Sequence, residues 1–299
     1  MKSGVERVTP YKILSVVLLV VLALTFLFPL YWIITGAFKT GPEINAVTPV
    51  WFPSEWTTAN FHKLFNNRTA PLFSIGPAEN PWITGPTIPA AIRWLINTVF
   101  MSVTAMILTC ATAAMAGYAL AKKRFRGRAI VFGLIVCAMA LPKQVILIPL
   151  LKEMSQLNLY NTLWAVIFPT VGWPFGVFLM KQFSESIPGE ILEAARIDGA
   201  GEWKTFSTIA LPMLKPGIGA LAIFTFINSW NDYFMQLVML SSNSNYTISL
   251  GIATLQAETS IDMGMLMAGA ALASVPIIIV FLIFQKYFTQ GITMGAVKG

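Results

Sequence analysis

Charged side chains are scarce in this 299-residue chain: 11% are Asp, Glu, Lys or Arg, where an ordinary soluble domain has roughly a quarter. So few ionisable groups cannot solvate a globule of this size. With 56% apolar residues and a mean hydropathy of +0.69, the composition argues against a soluble enzyme, a disordered regulator and a nucleic-acid binder. Cysteine is nearly missing. Cys110 and Cys137 lie in apolar runs, with neither a disulfide framework nor metal-ligand spacing, and read as buried small hydrophobes. The single histidine, His62, has no companion ligands. No G-x-x-x-x-G-K-[ST] loop occurs: Lys39-Thr40 and Lys204-Thr205 lack the preceding glycines. The chain therefore has no such device for cradling the phosphates of ATP.

Long apolar runs are what the sequence has in abundance. Stretches of about 20 apolar residues cross a bilayer as helices, because only an internally hydrogen-bonded backbone survives in hydrocarbon. Six are predicted, at residues 13–38, 94–121, 129–151, 162–180, 217–240 and 265–288. The first follows Lys2, Arg7 and Lys12 but is too long for a signal-peptide core and lacks a small-residue cleavage site, so it reads as a retained anchor. Of 20 basic and 13 acidic residues, most basic ones fall on one side. With the amino terminus inside, cytoplasmic segments collect fourteen Lys and Arg against five outside. Lys122, Lys123, Arg124, Arg126 and Arg128 form the strongest orienting cluster, with anionic headgroup contact as a minor addition. Both termini are then cytoplasmic. Small residues at four-residue spacing (Ala113, Gly117, Ala121) in the second span, and a run from Ala268 to Ala273 in the sixth, suit close helix packing.

The loop between the fourth and fifth spans carries the functional signal. Pro188 is placed to open a helix, with Glu190 and Glu193 near its positive end. Ile191, Ala194 and Ala195 are predicted to share one face, and Gly199 and Gly201 to break the helix. A second helix over 202–210 would gather Trp203, Phe206 and Ile209 or Ala210 on one side, and Pro212 would stop it. The product is a helix–turn–helix elbow on the inner surface.

Glu193-Ala194-Ala195, three residues, Gly199, nine residues, then Ile209-x-Leu211-Pro212 resembles the EAA motif of permease subunits of binding-protein-dependent ABC importers. The resemblance runs from about Asn97 to the carboxyl end and includes Leu141-Pro142, Ile148-Pro149 and Trp230-Asn231-Asp232. The ending, from Gly291 through Gly299, is similar to the tail of the MalG-like branch of carbohydrate importers. The resemblance implies an all-α, six-span permease of the type I importer fold. Residues 1–93 would hold the first span and a long outer loop. Residues 94–288 would be a five-helix core with a coupling helix in 188–212, and 289–299 a cytoplasmic tail.

It implies further that Glu190, Glu193, Ala194, Ala195, Asp198, Gly199, Trp203, Ile209, Leu211 and Pro212 couple to an ATPase subunit. Gly295, Ala296, Val297 and Lys298 would also reach the ATPases, and Leu255, Gln256, Ala257 and Glu258, in the loop 241–264, would meet an external solute-binding protein. The implied assembly is a heterodimeric pore with a MalF-like second permease and two ATPases in a bacterial inner membrane. ATP and magnesium would be bound by those ATPases, this chain holding no cofactor or metal and performing no covalent chemistry. The implied solute is a sugar, with an oligosaccharide suggested by the long outer loop 39–93.

Several residues admit two readings. Asp232, flanked by Asn228, Asn231 and Tyr233, is the one acid in mid-span, and serves either a polar solute path or helix–helix hydrogen bonding, the second being preferred. Lys143 either pairs with Asp232, contacts solute or snorkels outward. Trp173, beside Pro174, stacks on a sugar ring or simply packs against aromatic neighbours, packing being commoner. The rival classes are a proton-coupled transporter using Asp232 and Lys143, an importer for a non-sugar solute such as glycerol phosphate, and a membrane assembly protein. The first would need inverted repeats, which the sequence does not display.

Overall fold

The computed structural model describes residues 9–75, 81–258 and 262–296. The chain is mainly helical and divides into two compact units, Met1–Asn67 with Leu255–Leu272, and Arg68–Thr254 with Ala273–Gly299. Among the described residues, four helices are long and apolar enough to span a bilayer, or six when each of two sharply bent helix pairs counts as one span.

In the first unit, α1 (Pro10–Ala37) is apolar all round and exposed along most of its length, as suits a helix facing lipid or another subunit. Its C-terminal end is tied down by polar contacts. Asn60, on α3 (Ala59–Asn67), donates to the carbonyls of Ala37 and Lys39 at 3.0 and 2.8 Å. Lys39 is buried with its ammonium 4.1 Å from the Trp32 ring centre. Between them, the single turn α2 (Gly41–Ile44) is held by a capping box of Thr40 and Glu43, whose carboxylate also accepts from Ser54. These hydrogen bonds, Ser54 first, hold the Glu43 carboxyl down to about 2.

The second unit is built on α4 (Ala90–Lys122). Residues leading into it form two short antiparallel pairs, β1 (Thr69–Pro71) with β4 (Thr87–Pro89) and β2 (Ser74–Ile75) with β3 (Ile83–Thr84). These two- and three-residue strands are minor additions to the expected helical fold. The third span is not continuous: α5 (Arg128–Met139) and α6 (Lys143–Gln156) meet at 106°. Pro142 lacks an N–H and drives Leu141 out of the helical region. The fourth span is α7 (Trp164–Val171) and α8 (Pro174–Glu185), interrupted at Gly172 and Trp173. Cys137 lies on the exposed surface of α5, so the expectation that both cysteines are buried fails there; Cys110 is partly covered.

Small residues bring α4 and α8 together as expected. A Cβ on Gly117 would lie 2.6 Å from the backbone nitrogen of Lys181, and one on Gly176 3.3 Å from the Ala113 Cβ. Beyond α8 come α9 (Gly189–Ile197), α10 (Glu202–Lys204), a π-turn at Thr205–Ala210 and α11 (Leu211–Met213). The fifth span follows as α12 (Lys215–Asn231) and α13 (Tyr233–Met239), not as one helix over 217–240. Asp232 breaks it and caps α13, its carboxylate accepting from the Met235 amide at 3.4 Å. The chain closes with α14 (Ile248–Glu258) and α15 (Met263–Ala296).

Candidate functional site

Two regions gather the candidate residues: the elbow at one end of the second unit and a cavity among its broken spans. The elbow starts from Pro188, which caps α9 and puts Glu190 in the first turn. α9 ends in a Schellman motif. Gly199 N–H donates to Arg196 O at 3.0 Å and Ala200 N–H to Ala195 O at 2.9 Å, with Gly199 at φ +77°. This is the physical reason for glycine at that place in the motif.

The buried face of α9 is Leu192 and Ala195, and Leu192 packs with Phe206, Ala210 and Leu214 on the core of Tyr118, Met180 and Ile187. The expected grouping of Ile191, Ala194 and Ala195 is therefore split, because the core approaches one position further round. Ile191 and Ala194 are left exposed with Glu190, Glu193 and Asp198, and Ile197 is 87% exposed. Trp203 is likewise 69% exposed, while its ring still neighbours buried Phe206 at 5.8 Å.

Pro212 does not stop the second helix. Just before it the ladder widens, Leu211 N–H donating to Phe206 O five residues back, so the prolyl ring is accommodated and the helix reaches Met213. Ile209 and Leu211 are partly covered beside the same core. Two lysines from the end of α4 bind the elbow. Lys122 donates to Ile187 O at 2.6 Å, and Lys123 pairs with Glu202, whose carboxyl that hydrogen bond holds below the usual range.

The cavity, about 400 Å3, lies where the third, fourth and fifth spans are all interrupted. Four candidate residues line it: Lys143, Trp173, Asn228 and Asp232. Lys143 and Asp232 form an ion pair at 3.3 Å, with side chains 48% and 16% exposed, and the lysine sits 5.9 Å from the Trp173 ring centre. Asn231 and Tyr233 lie outside the lining; Asn231 bonds the Ile227 carbonyl at 2.9 Å and Tyr233 packs towards Phe234. Sequence reasoning missed Ser229, which is 2% exposed and whose hydroxyl has no hydrogen-bond partner among the described residues. Its place one helical turn before Asp232 was the available signal.

The segment following α13 is clamped. Asn161 accepts from the amides of Ser241 and Ser242, both at 3.0 Å, and Asn97 donates to Ser244 O and Tyr246 O, both at 2.9 Å. Gln236 is buried between Ser229 O and the Thr247 hydroxyl. Leu255, in the first unit, is buried, leaving Gln256 and Ala257 exposed. Glu258 is the last residue of α14, and Gly295 and Ala296 are the last of α15. Val297 and Lys298 lie outside the described residues.

Interrupted spans around a cavity with convergent polar groups, on a mostly helical bilayer-spanning chain, define a membrane transport permease. Residues 112–294 match the binding-protein-dependent transport system inner membrane component family, and the chain belongs to that family. It is 35% identical to the arabinooligosaccharides transport system permease protein AraQ of Halalkalibacterium halodurans, over 93% of each chain. The AraQ protein of Bacillus subtilis is 32% identical, over 97% of this chain and 96% of the relative. The diacetylchitobiose uptake system permease protein NgcG of Streptomyces coelicolor is 27% identical, over 96% and 89%. In fold, the chain matches one from a crystal structure of a bacterial ABC transporter involved in the import of the acidic polysaccharide alginate. The TM-score is 0.75 at 22% identity, covering 96% of this chain and 99% of the other. The fold is that of an ABC importer permease.

Proposed function

We propose that this chain is one half of the pore of a bacterial ABC importer for an oligosaccharide. Full-length similarity to permeases named for arabinooligosaccharides and diacetylchitobiose supports the solute class. The exposed apolar strip of Ile191, Ala194 and Ile197 beside Glu190 and Glu193 carries the mechanical part, because such a strip on an anchored elbow suits docking into a partner's groove. That partner is an ATPase subunit, one of two, which binds ATP and magnesium. A homologous MalF-like permease completes the pore, and a solute-binding protein docks outside against residues 255–258. Both termini and the elbow are cytoplasmic, with residues 295–298 reaching the ATPases. ATP-driven closure of the ATPase pair moves the elbow. α10, the π-turn and α11 pass that movement to α12, which they meet at 75°. Lys143, Trp173, Asn228, Asn231, Asp232 and Tyr233 then belong to the solute path or its walls.

The test is reconstitution with the mate, the ATPases and the binding protein of the same system. Glu193→Arg is expected to lower binding-protein-stimulated ATP hydrolysis and sugar uptake together, by roughly tenfold or more, as loss of an interface anchor does. Uptake that persists in the variant and runs on a proton gradient alone would overturn the proposal.

A further inference from the structure

The α4–α5 turn holds five basic residues, and the structure divides them into two groups. Lys122 is satisfied by the carbonyls of Ile187 and Glu185, Lys123 by Glu202, and Arg128 reaches Lys123 O at 3.3 Å. Arg124 and Arg126 are exposed and have no hydrogen bond or ion pair among the described residues. No Asp or Glu occurs from residue 80 to 152, and Glu202 is already shared by Lys123 and Arg196. Between the two free arginines stands Phe125, 44% exposed, in a turn closed by Gly127 at φ +84°. Directly beyond it, α5 presents exposed Ile130 and Leu134 one turn apart.

We infer that this turn is a binding site for an acidic phospholipid. Two guanidiniums flanking a phosphate offer charge-assisted hydrogen bonds that a zwitterionic headgroup, carrying its own cation, competes for poorly. Phe125 enters the upper acyl region, and an acyl chain lies along Ile130 and Leu134. The position supports a lipid over a soluble anion: the turn joins two apolar helices, so it sits where the chain leaves hydrocarbon. The inference rests on the membrane placement in the proposed function but on none of its coupling steps.

Full-length chain purified in dodecyl maltoside is titrated with phosphatidylglycerol and, separately, with phosphatidylcholine, and bound lipid is counted by native mass spectrometry. Arg124→Gln/Arg126→Gln is expected to weaken phosphatidylglycerol binding roughly thirtyfold, about fivefold per arginine, and to leave phosphatidylcholine unchanged. Arg124→Lys/Arg126→Lys should keep most of the affinity, which excludes misfolding as the cause. Equal phosphatidylglycerol binding by the native chain and the glutamine variant would overturn the site. So would Phe125→benzoylphenylalanine cross-linking to an ATPase subunit, and not to lipid, in the assembled transporter. Neither ATPase nor solute enters the titration, so a failed coupling experiment and a failed lipid site are separate results.

Discussion

At the residue scale, Gly199 shows how a motif position reduces to backbone physics. Its φ of +77° costs an L-residue about 1–2 kcal/mol, and a Cβ there would meet nothing within 4 Å. The demand is therefore conformational and not steric. Gly199→Ala should lower stability by about 1 kcal/mol, and Gly199→Asn by less, since Asn tolerates the left-handed region. Thermal unfolding of the full chain in detergent measures both; equal losses would mean that something other than φ selects glycine. The motif spacing made this residue legible before any coordinates. Asn161 was not legible, because its acceptor role depends on amides about 80 residues away in sequence. Ser229 carried a weaker signal: its place one helical turn before Asp232 points to it only once Asp232 is seen to line the cavity.

At the element scale, apolar runs located the spans well, α1 and α4 falling within a few residues of expectation. Hydropathy measures transfer into hydrocarbon and carries no information on chain direction. It thus merged α5 with α6 and α12 with α13, although Pro142 and Asp232 were the local signs of the breaks. Packing between elements is the more testable matter. Gly117 sits against the backbone of α8, whereas a Cβ on Gly133 of α5 would touch nothing within 4 Å. Gly117→Ala should force the helices apart and cost about 1–3 kcal/mol. Gly133→Ala should be neutral or slightly stabilising through helix propensity, by up to roughly 1 kcal/mol. Detergent unfolding temperatures separate the two, and a tolerated Gly117→Ala would show that the α4–α8 contact is looser than described.

At the scale of the whole molecule, two of the three interrupted spans of the second unit, the third and the fifth, are linked by one ion pair. Lys143 begins α6 just after the 106° bend, and Asp232 is the residue at which the fifth span breaks, so the pair ties one discontinuity to the other. Lys143 is half exposed, which screens the attraction, and the pair should contribute only about 1 kcal/mol of coupling. Lys143→Met leaves the better-covered carboxylate with its capping hydrogen bond but no counter-charge, and Asp232→Asn leaves the ammonium without its own. Each single change should therefore lower the unfolding temperature. The double variant should lose less than the sum of the two, because no unmatched charge remains. Additive losses would show that the 3.3 Å contact is geometric and not energetic. Transport by the same variants divides the two roles still open for this pair. If it is a brace, the double variant keeps the native KM for sugar in reconstituted uptake. If it belongs to the solute path, KM rises in the double variant while its stability and its basal ATP hydrolysis in the assembled transporter stay near native.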